Sequence, residues 1–133
     1  VALAVGLGEA ARLAGAEWQA RRTAALKIRE QLLHDLQTVE HRINGDPTRC
    51  QPHVLNVSFP GIDSEAFMMA TRHAVATSNG SACTSASYKP SHVLLAMGLG
   101  DESLESAVRF SWGAQTTRIP SDSIVAALRA VRS

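Results

Sequence analysis

The chain has 133 residues, 45% apolar and 19% charged, and its 13 Lys and Arg against 12 Asp and Glu leave a formal charge of +1. That is the make-up of one globular domain. It has no basic surplus of the kind a nucleic-acid binder carries, no apolar run of bilayer-spanning length and no signal-peptide pattern.

Val1 opens the chain inside a helical pattern and without a methionine, so the chain is expected to be a piece of something longer. Residues 1 to 37 read as helix in two parts. Val1 to Ala16 is rich in Ala, Leu, Val and Gly; Gly6, Gly8 and Gly15 disfavour a helix standing alone but permit close packing against a neighbour. From Glu17 to Gln37 the pattern is amphipathic. Trp18, Ala25, Ile28, Leu32 and Leu36 share one face, widened by Leu26 and Leu33, with Lys27, Glu30, Gln31 and His34 opposite.

Thr38 to Ile43 alternates as a half-open strand and is stopped by Asn44-Gly45-Asp46-Pro47. His53 to Phe59 reads as a second strand, with Leu55, Val57 and Phe59 on one side and Pro60-Gly61 closing it. Asp63 or Ser64 can cap a helix through about Arg72, and Val75 to Thr77 is expected as a third strand. Pro90 introduces a helix, Ser91 to Met97, ended by Gly98, and Asp101 caps another short turn. Ala107 to Trp112 is the last strand and Ser121 to Arg132 the last helix, with Ile124, Leu128 and Val131 on its inner stripe. Short strands mixed with amphipathic helices predict an α/β two-layer sandwich with a small mixed or antiparallel sheet.

Two places stand out chemically. Ser78-Asn79-Gly80-Ser81-Ala82-Cys83-Thr84-Ser85-Ala86-Ser87 is a run of small residues around one thiol. Cysteine is ordinarily among the most buried residue types, yet nothing in this run can fill a core. It reads either as a reachable, movable nucleophile or as a surface loop that happens to contain a thiol. In Ala107 to Trp112, Val108, Phe110 and Trp112 share one face, so Arg109 and Ser111 occupy the other. Arg109 is then either a fixed clamp for a carboxylate or an arginine on the wet side of the sheet.

The remaining candidates are weaker. His41 alternates with apolar residues and reads as partly buried; His34, His53, His73 and His92 have no second ligand or base at a telling spacing. Lys27 and Lys89 do not fit a buried Schiff-base lysine. Cys50 and Cys83 are too few for a disulfide framework and lack metal-type C-x-x-C spacing, which points to a reducing cytoplasm and to no metal site.

Gly80-Ser81-Ala82-Cys83-Thr84-Ser85, then Pro90-Ser91-His92-Val93-Leu94, Ala96-Met97-Gly98-Leu99 and Val108-Arg109-Phe110-Ser111 resemble the C-terminal part of cysteine desulfurases of the IscS/NifS type. These are fold-type I pyridoxal-phosphate enzymes of the class V aminotransferase group. Val5-Gly6-Leu7-Gly8-Glu9-Ala10, Asn44-Gly45 and Asn56-Val57-Ser58-Phe59 also look like that family. The resemblance implies that Cys83 attacks the sulfur of the cysteine–cofactor adduct, leaving alanine and a protein persulfide, and that Arg109 grips the carboxylate of the substrate cysteine. It also implies that residues 1–16 are the tail of a linking helix and that 17–133 form the small C-terminal domain with its cysteine loop at 78–90. The Schiff-base lysine and most phosphate contacts would lie upstream in a larger domain. The fragment alone is therefore expected to bind no pyridoxal phosphate stably and to be inactive.

Implied partners are L-cysteine, that larger domain of the same chain and a sulfur-acceptor protein, in a homodimeric parent with no direct nucleic-acid or membrane binding. The Ser87-Tyr88-Lys89-Pro90-Ser91-His92 run resembles the desulfurases that serve DNA phosphorothioation; iron–sulfur assembly and RNA thiolation stay open as destinations for the sulfur. Other readings are a class V aminotransferase or lyase without persulfide chemistry, and a non-enzymatic thiol or metal-binding module, which two cysteines without paired ligands disfavour.

Overall fold

A computed structural model describes residues 1–80 and 91–132 of the chain. Helix α1 spans Ala2–Leu36 without interruption, so the expected division near residue 16 does not exist. Local pairs support its first half: Arg12 donates to both Glu9 carboxylate oxygens, and Arg21 to Glu17. The glycines do not break it because propensity is a weak, summed preference that the surrounding Ala and Leu outweigh.

After a turn come β1 (Arg42–Ile43), β2 (Val54–Ser58) and α2 (Ser64–Thr71). The short α3 (His92–Ala96) and α4 (Asp101–Glu105) follow, then β3 (Ala107–Ser111) and α5 (Ser121–Val131). Among the described residues the strands form one antiparallel sheet in the order β1-β2-β3. The expected first strand shrinks to two residues, since Val39 turns into the core directly after α1. The strand expected at Val75 to Thr77 is absent; instead Ser78 makes a single antiparallel bridge to Arg109.

The caps follow local chemistry. Asp63 accepts a hydrogen bond from the Ala66 amide at the start of α2. At the end of α3, Gly98 adopts φ +79°, and the amides of Gly98 and Leu99 donate to Leu95 and Leu94. That pair of bonds satisfies carbonyls the helix leaves open, in a backbone conformation that favours glycine. Asp101 does not cap α4; Gly100 holds that position and Asp101 lies in the first turn.

Helices α1, α2 and α5 cover one face of the sheet. Ile28, Leu32 and Leu36 meet Leu55, Val57, Phe59, Phe67, Val108, Phe110, Ile124 and Leu128 in the main core. The Trp112 indole N–H donates to the Ala25 carbonyl and pins α1 to the end of β3. Asp35, on α1, hydrogen-bonds Ser121 at the start of α5 and Gln31; these two bonds hold its carboxyl below the ordinary value of 3.8. A smaller cluster of Leu94, Leu104 and Ala107 closes α3 and α4 against the opposite face.

The core reaches only the last third of α1. Thirty-five helical residues extend about 52 Å, whereas a five-residue strand covers about 17 Å. Trp18, expected on the inner face, is consequently 55% exposed, and Val1, Leu3, Val5 and Leu7 are exposed as well.

Candidate functional site

Strand parity builds the site. On β2, Leu55 and Val57 point into the core, so Val54, Asn56 and Ser58 belong to the other face; on β3, Val108 and Phe110 are buried, leaving Ala107, Arg109 and Ser111 opposite. Register then pairs Asn56 with Arg109 and Ser58 with Ala107. The face is roofed at the Ala107 end by α3 and α4 and open at Arg109, which is exposed. Among the described residues no carboxylate forms an ion pair with Arg109.

The backbone of Arg109 is held on its outer side. Its amide donates to the Ser78 carbonyl at 2.6 Å, and the Ser78 amide donates back at 3.2 Å. A residue in an antiparallel ladder turns both backbone groups to the same neighbour, so Arg109 and Asn56 form a non-hydrogen-bonded pair, the closer of the two antiparallel spacings at about 4.5 Å between Cα atoms. Their side chains rise from adjacent points of one rigid surface.

Polar side chains surround that point. The Asn44 amide nitrogen donates to Asn56 Oδ1 and to Ser58 Oγ, each at 2.7 Å, and the Ser58 hydroxyl donates to the Ser103 carbonyl at 2.6 Å. The Ser78 hydroxyl donates to the Gly80 carbonyl, and the Asn79 amide reaches Ser64 Oγ at 3.4 Å. The chain therefore enters the segment carrying Cys83 from beside Arg109. Cys83 itself, with most of the 78–90 loop, lies outside the described residues.

The other sequence candidates fall elsewhere. His41 is half-buried, as its alternation predicts, and its Nδ1 lies 2.8 Å from the Val39 carbonyl. His34, His53, His73 and His92 are exposed, as is Lys27, and Lys89 lies outside the described residues. Cys50 is exposed, its thiol donating to the Pro47 carbonyl at 3.3 Å. Among the described residues no cluster of His, Cys, Asp and Glu could hold a metal ion, and no helix is long and apolar enough to cross a membrane.

Sequence reasoning did not pick out Asn44, Asn56 and Ser58 as site residues. The parity that selected Arg109 also places Asn56 and Ser58 opposite Leu55 and Val57, so a signal was present; joining the two strands required the register. It also missed Arg29, a buried guanidinium on α1 whose Nη1 donates to the Val54 carbonyl at 2.8 Å while Nη2 has no partner among the described residues.

The aminotransferase class-V family matches residues 1–119. Cysteine desulfurase IscS of Vibrio cholerae serotype O1 is 46% identical over 126 residues, covering 94% of this chain and 31% of the relative, so the chain spans about a third of the length of the curated relatives it matches. A NifS-like protein from Rickettsia africae superimposes with a TM-score of 0.75 at 22% identity, over 95% of this chain and 33% of the other. DndA from Streptomyces lividans does so with a TM-score of 0.60 at 38% identity, over 81% and 30%. The first structural likeness carries the fold, and the curated sequence relatives carry the name cysteine desulfurase. With that family matching residues 1–119, all of the chain that precedes the N-cap of α5, this chain belongs to the class-V aminotransferase family.

Proposed function

We propose that the chain is the small C-terminal part of a pyridoxal-phosphate-dependent cysteine desulfurase, in which Arg109 holds the α-carboxylate of L-cysteine and Cys83 accepts its sulfur. The observation that carries this reading is Arg109 itself, exposed and without an ion pair among the described residues, on a strand whose backbone at that position is hydrogen-bonded to Ser78. Cys83 follows Ser78 by five positions, a tether of at most about 18 Å, so a thiol on it can serve a substrate clamped at Arg109.

The chemistry balances with this chain's own thiol. The Cys83 thiolate attacks the substrate sulfur, an S–S bond forms, and the carbon–sulfur bond breaks with its electron pair left on carbon. That carbon takes a proton, so L-cysteine and a thiol become L-alanine and a persulfide. Pyridoxal phosphate, when bound, supplies the electron sink for this cleavage. The described residues do not fit that cofactor: Lys27 is exposed on α1, remote in sequence from the Arg109 face. Holding it is assigned to the part of the protein that the relatives possess beyond this chain.

The first half of α1, with Leu3, Val5 and Leu7 bare, is assigned to packing against that larger part, in a homodimeric parent in the cytoplasm. The 38% identity of the chain with DndA, together with the Ser87-to-His92 run, supports DNA phosphorothioation as one destination for the sulfur. In the full-length enzyme, Cys83→Ser is expected to lower alanine formation from L-cysteine at least about 100-fold while keeping cofactor absorbance. Arg109→Lys is expected to raise KM about tenfold, because a point charge replaces a two-pronged donor. Steady alanine production by Cys83→Ser, or by the chain alone given cofactor and L-cysteine, would contradict the reading.

A further inference from the structure

We propose that Asn56 is a second hydrogen-bond donor for the substrate α-carboxylate, standing beside the Arg109 guanidinium, with its amide held in the donating orientation by a relay that begins at the Ser103 carbonyl. This rests on the desulfurase reading above and adds to it a residue and the device that aims it.

The direction of the relay follows from donor and acceptor chemistry alone. A backbone carbonyl can only accept, so the Ser58 hydroxyl, 2.6 Å from the Ser103 oxygen, spends its proton there. Ser58 Oγ is then an acceptor towards Asn44, and the group meeting it at 2.7 Å must be the Asn44 amide nitrogen. That nitrogen has two hydrogens; the second goes to Asn56 at 2.7 Å, so Asn56 must present its oxygen. Carbonyl oxygen and amide nitrogen, ordinarily interchangeable by a half-turn, are thereby distinguished in both asparagines.

The consequence falls on the Arg109 side of β2. Asn44 sits on the β1 side, where its backbone N–H also donates to the Asn56 backbone carbonyl at 2.9 Å. With Oδ1 of Asn56 committed to that side, Nδ2 is turned away from β1. Its cross-strand neighbour on the same face is Arg109, in the close, non-hydrogen-bonded pairing. A guanidinium and an amide N–H₂ side by side on an open sheet face offer only donors. Two or more donors converging on one anion are what a carboxylate requires. The relay is anchored at α4, through Ser103, and Ser58 is fully buried; the donor is therefore set by the packed part of the domain and meets the substrate already oriented.

The test uses the full-length enzyme with L-cysteine as substrate and L-alanine or L-alaninamide as binding probes. Asn56→Asp keeps an oxygen for Asn44 and replaces the donor with an anion. It is expected to raise KM for L-cysteine at least about tenfold with kcat within about twofold. The dissociation constant for L-alanine rises by a similar factor, while that for L-alaninamide, which has no carboxylate, stays within about twofold. A purely structural role for Asn56 would move both probes together or neither. Equal effects on the two probes, or an unchanged KM in a variant with native thermal unfolding, overturn the proposal. Should Asn56→Asp fail to fold, Asn56→Ser, which keeps an acceptor and shortens the donor, is read by the same two probes. If wild-type enzyme forms no alanine, the desulfurase reading fails; if it does and Arg109→Lys alone raises KM, only the assignment of Asn56 fails.

Discussion

The two ends of α1 are one continuous helix in two different situations. From Ile28 onward its apolar side chains are buried or, at Leu33, partly buried against the core; before Leu13 every side chain is exposed, including Leu3, Val5 and Leu7. The far end is supported by local ion pairs, Glu9 with Arg12 and Glu17 with Arg21, which are weak because water screens exposed charges. The near end is held by a core. Helical periodicity reports that a face is apolar, but not what covers it, and the sheet is too short to cover all of it.

The contrast can be broken most strongly at Leu32, which is fully buried at the centre of the packed end. Leu32→Ala is expected to destabilise the domain by about 2–5 kcal/mol in denaturant unfolding, whereas Leu3→Ala should change the stability of this chain by less than about 0.5 kcal/mol. A large loss at Leu3 would show that the far end is already packed.

Gly8 sharpens it further. A Cβ at this position meets nothing within 4 Å, so in this chain Gly8→Ala should stabilise α1 by about 1 kcal/mol, read as a gain in helical circular dichroism. In the full-length enzyme the same change should be neutral or destabilising if another domain packs closely there. Stabilisation in both settings would remove the packing role assigned to that half of the helix.

The smallest effect concerns pH at the α1–α5 contact. Asp35 has its folded-state pKa lowered, chiefly by its hydrogen bond to Ser121, from the ordinary 3.8. A lowered folded-state pKa means that the unfolded chain binds the proton first. The stabilisation is therefore present above about pH 4 and is lost as pH falls through the folded value. Asp35→Asn should flatten this acid limb of a stability-against-pH curve and leave its neutral portion nearly unshifted in slope.

Much of this arrangement was legible in the sequence where a single segment contains its own answer. Alternation in Ala107 to Trp112 was enough to put Arg109 on the open face, Asp63 announced the start of α2, and Gly98 the end of α3. What escaped depended on partners distant in the chain. Trp18 has the right period for the core but lies past the end of the sheet, and Val75 to Thr77 finds no strand to pair with among the described residues until Ser78 meets Arg109. The Asn44–Asn56–Ser58–Ser103 relay joins the residue after β1 to β2 and α4; no local pattern encodes it. Arg29 sits at helical spacing within the buried stripe, between Ile28 and Leu32, where a carbonyl from β2 meets it.

The proposed pairing of a clamp at Arg109 with the Cys83 thiol is tested most directly by locating the sulfur. Full-length enzyme would be given one equivalent of L-cysteine, quenched, alkylated and mapped by peptide mass spectrometry. A persulfide on Cys83, with Cys50 unmodified and the signal sharply reduced in Arg109→Ala, is the expected result. Persulfide on Cys50, or labelling of Cys83 indifferent to Arg109, would contradict it.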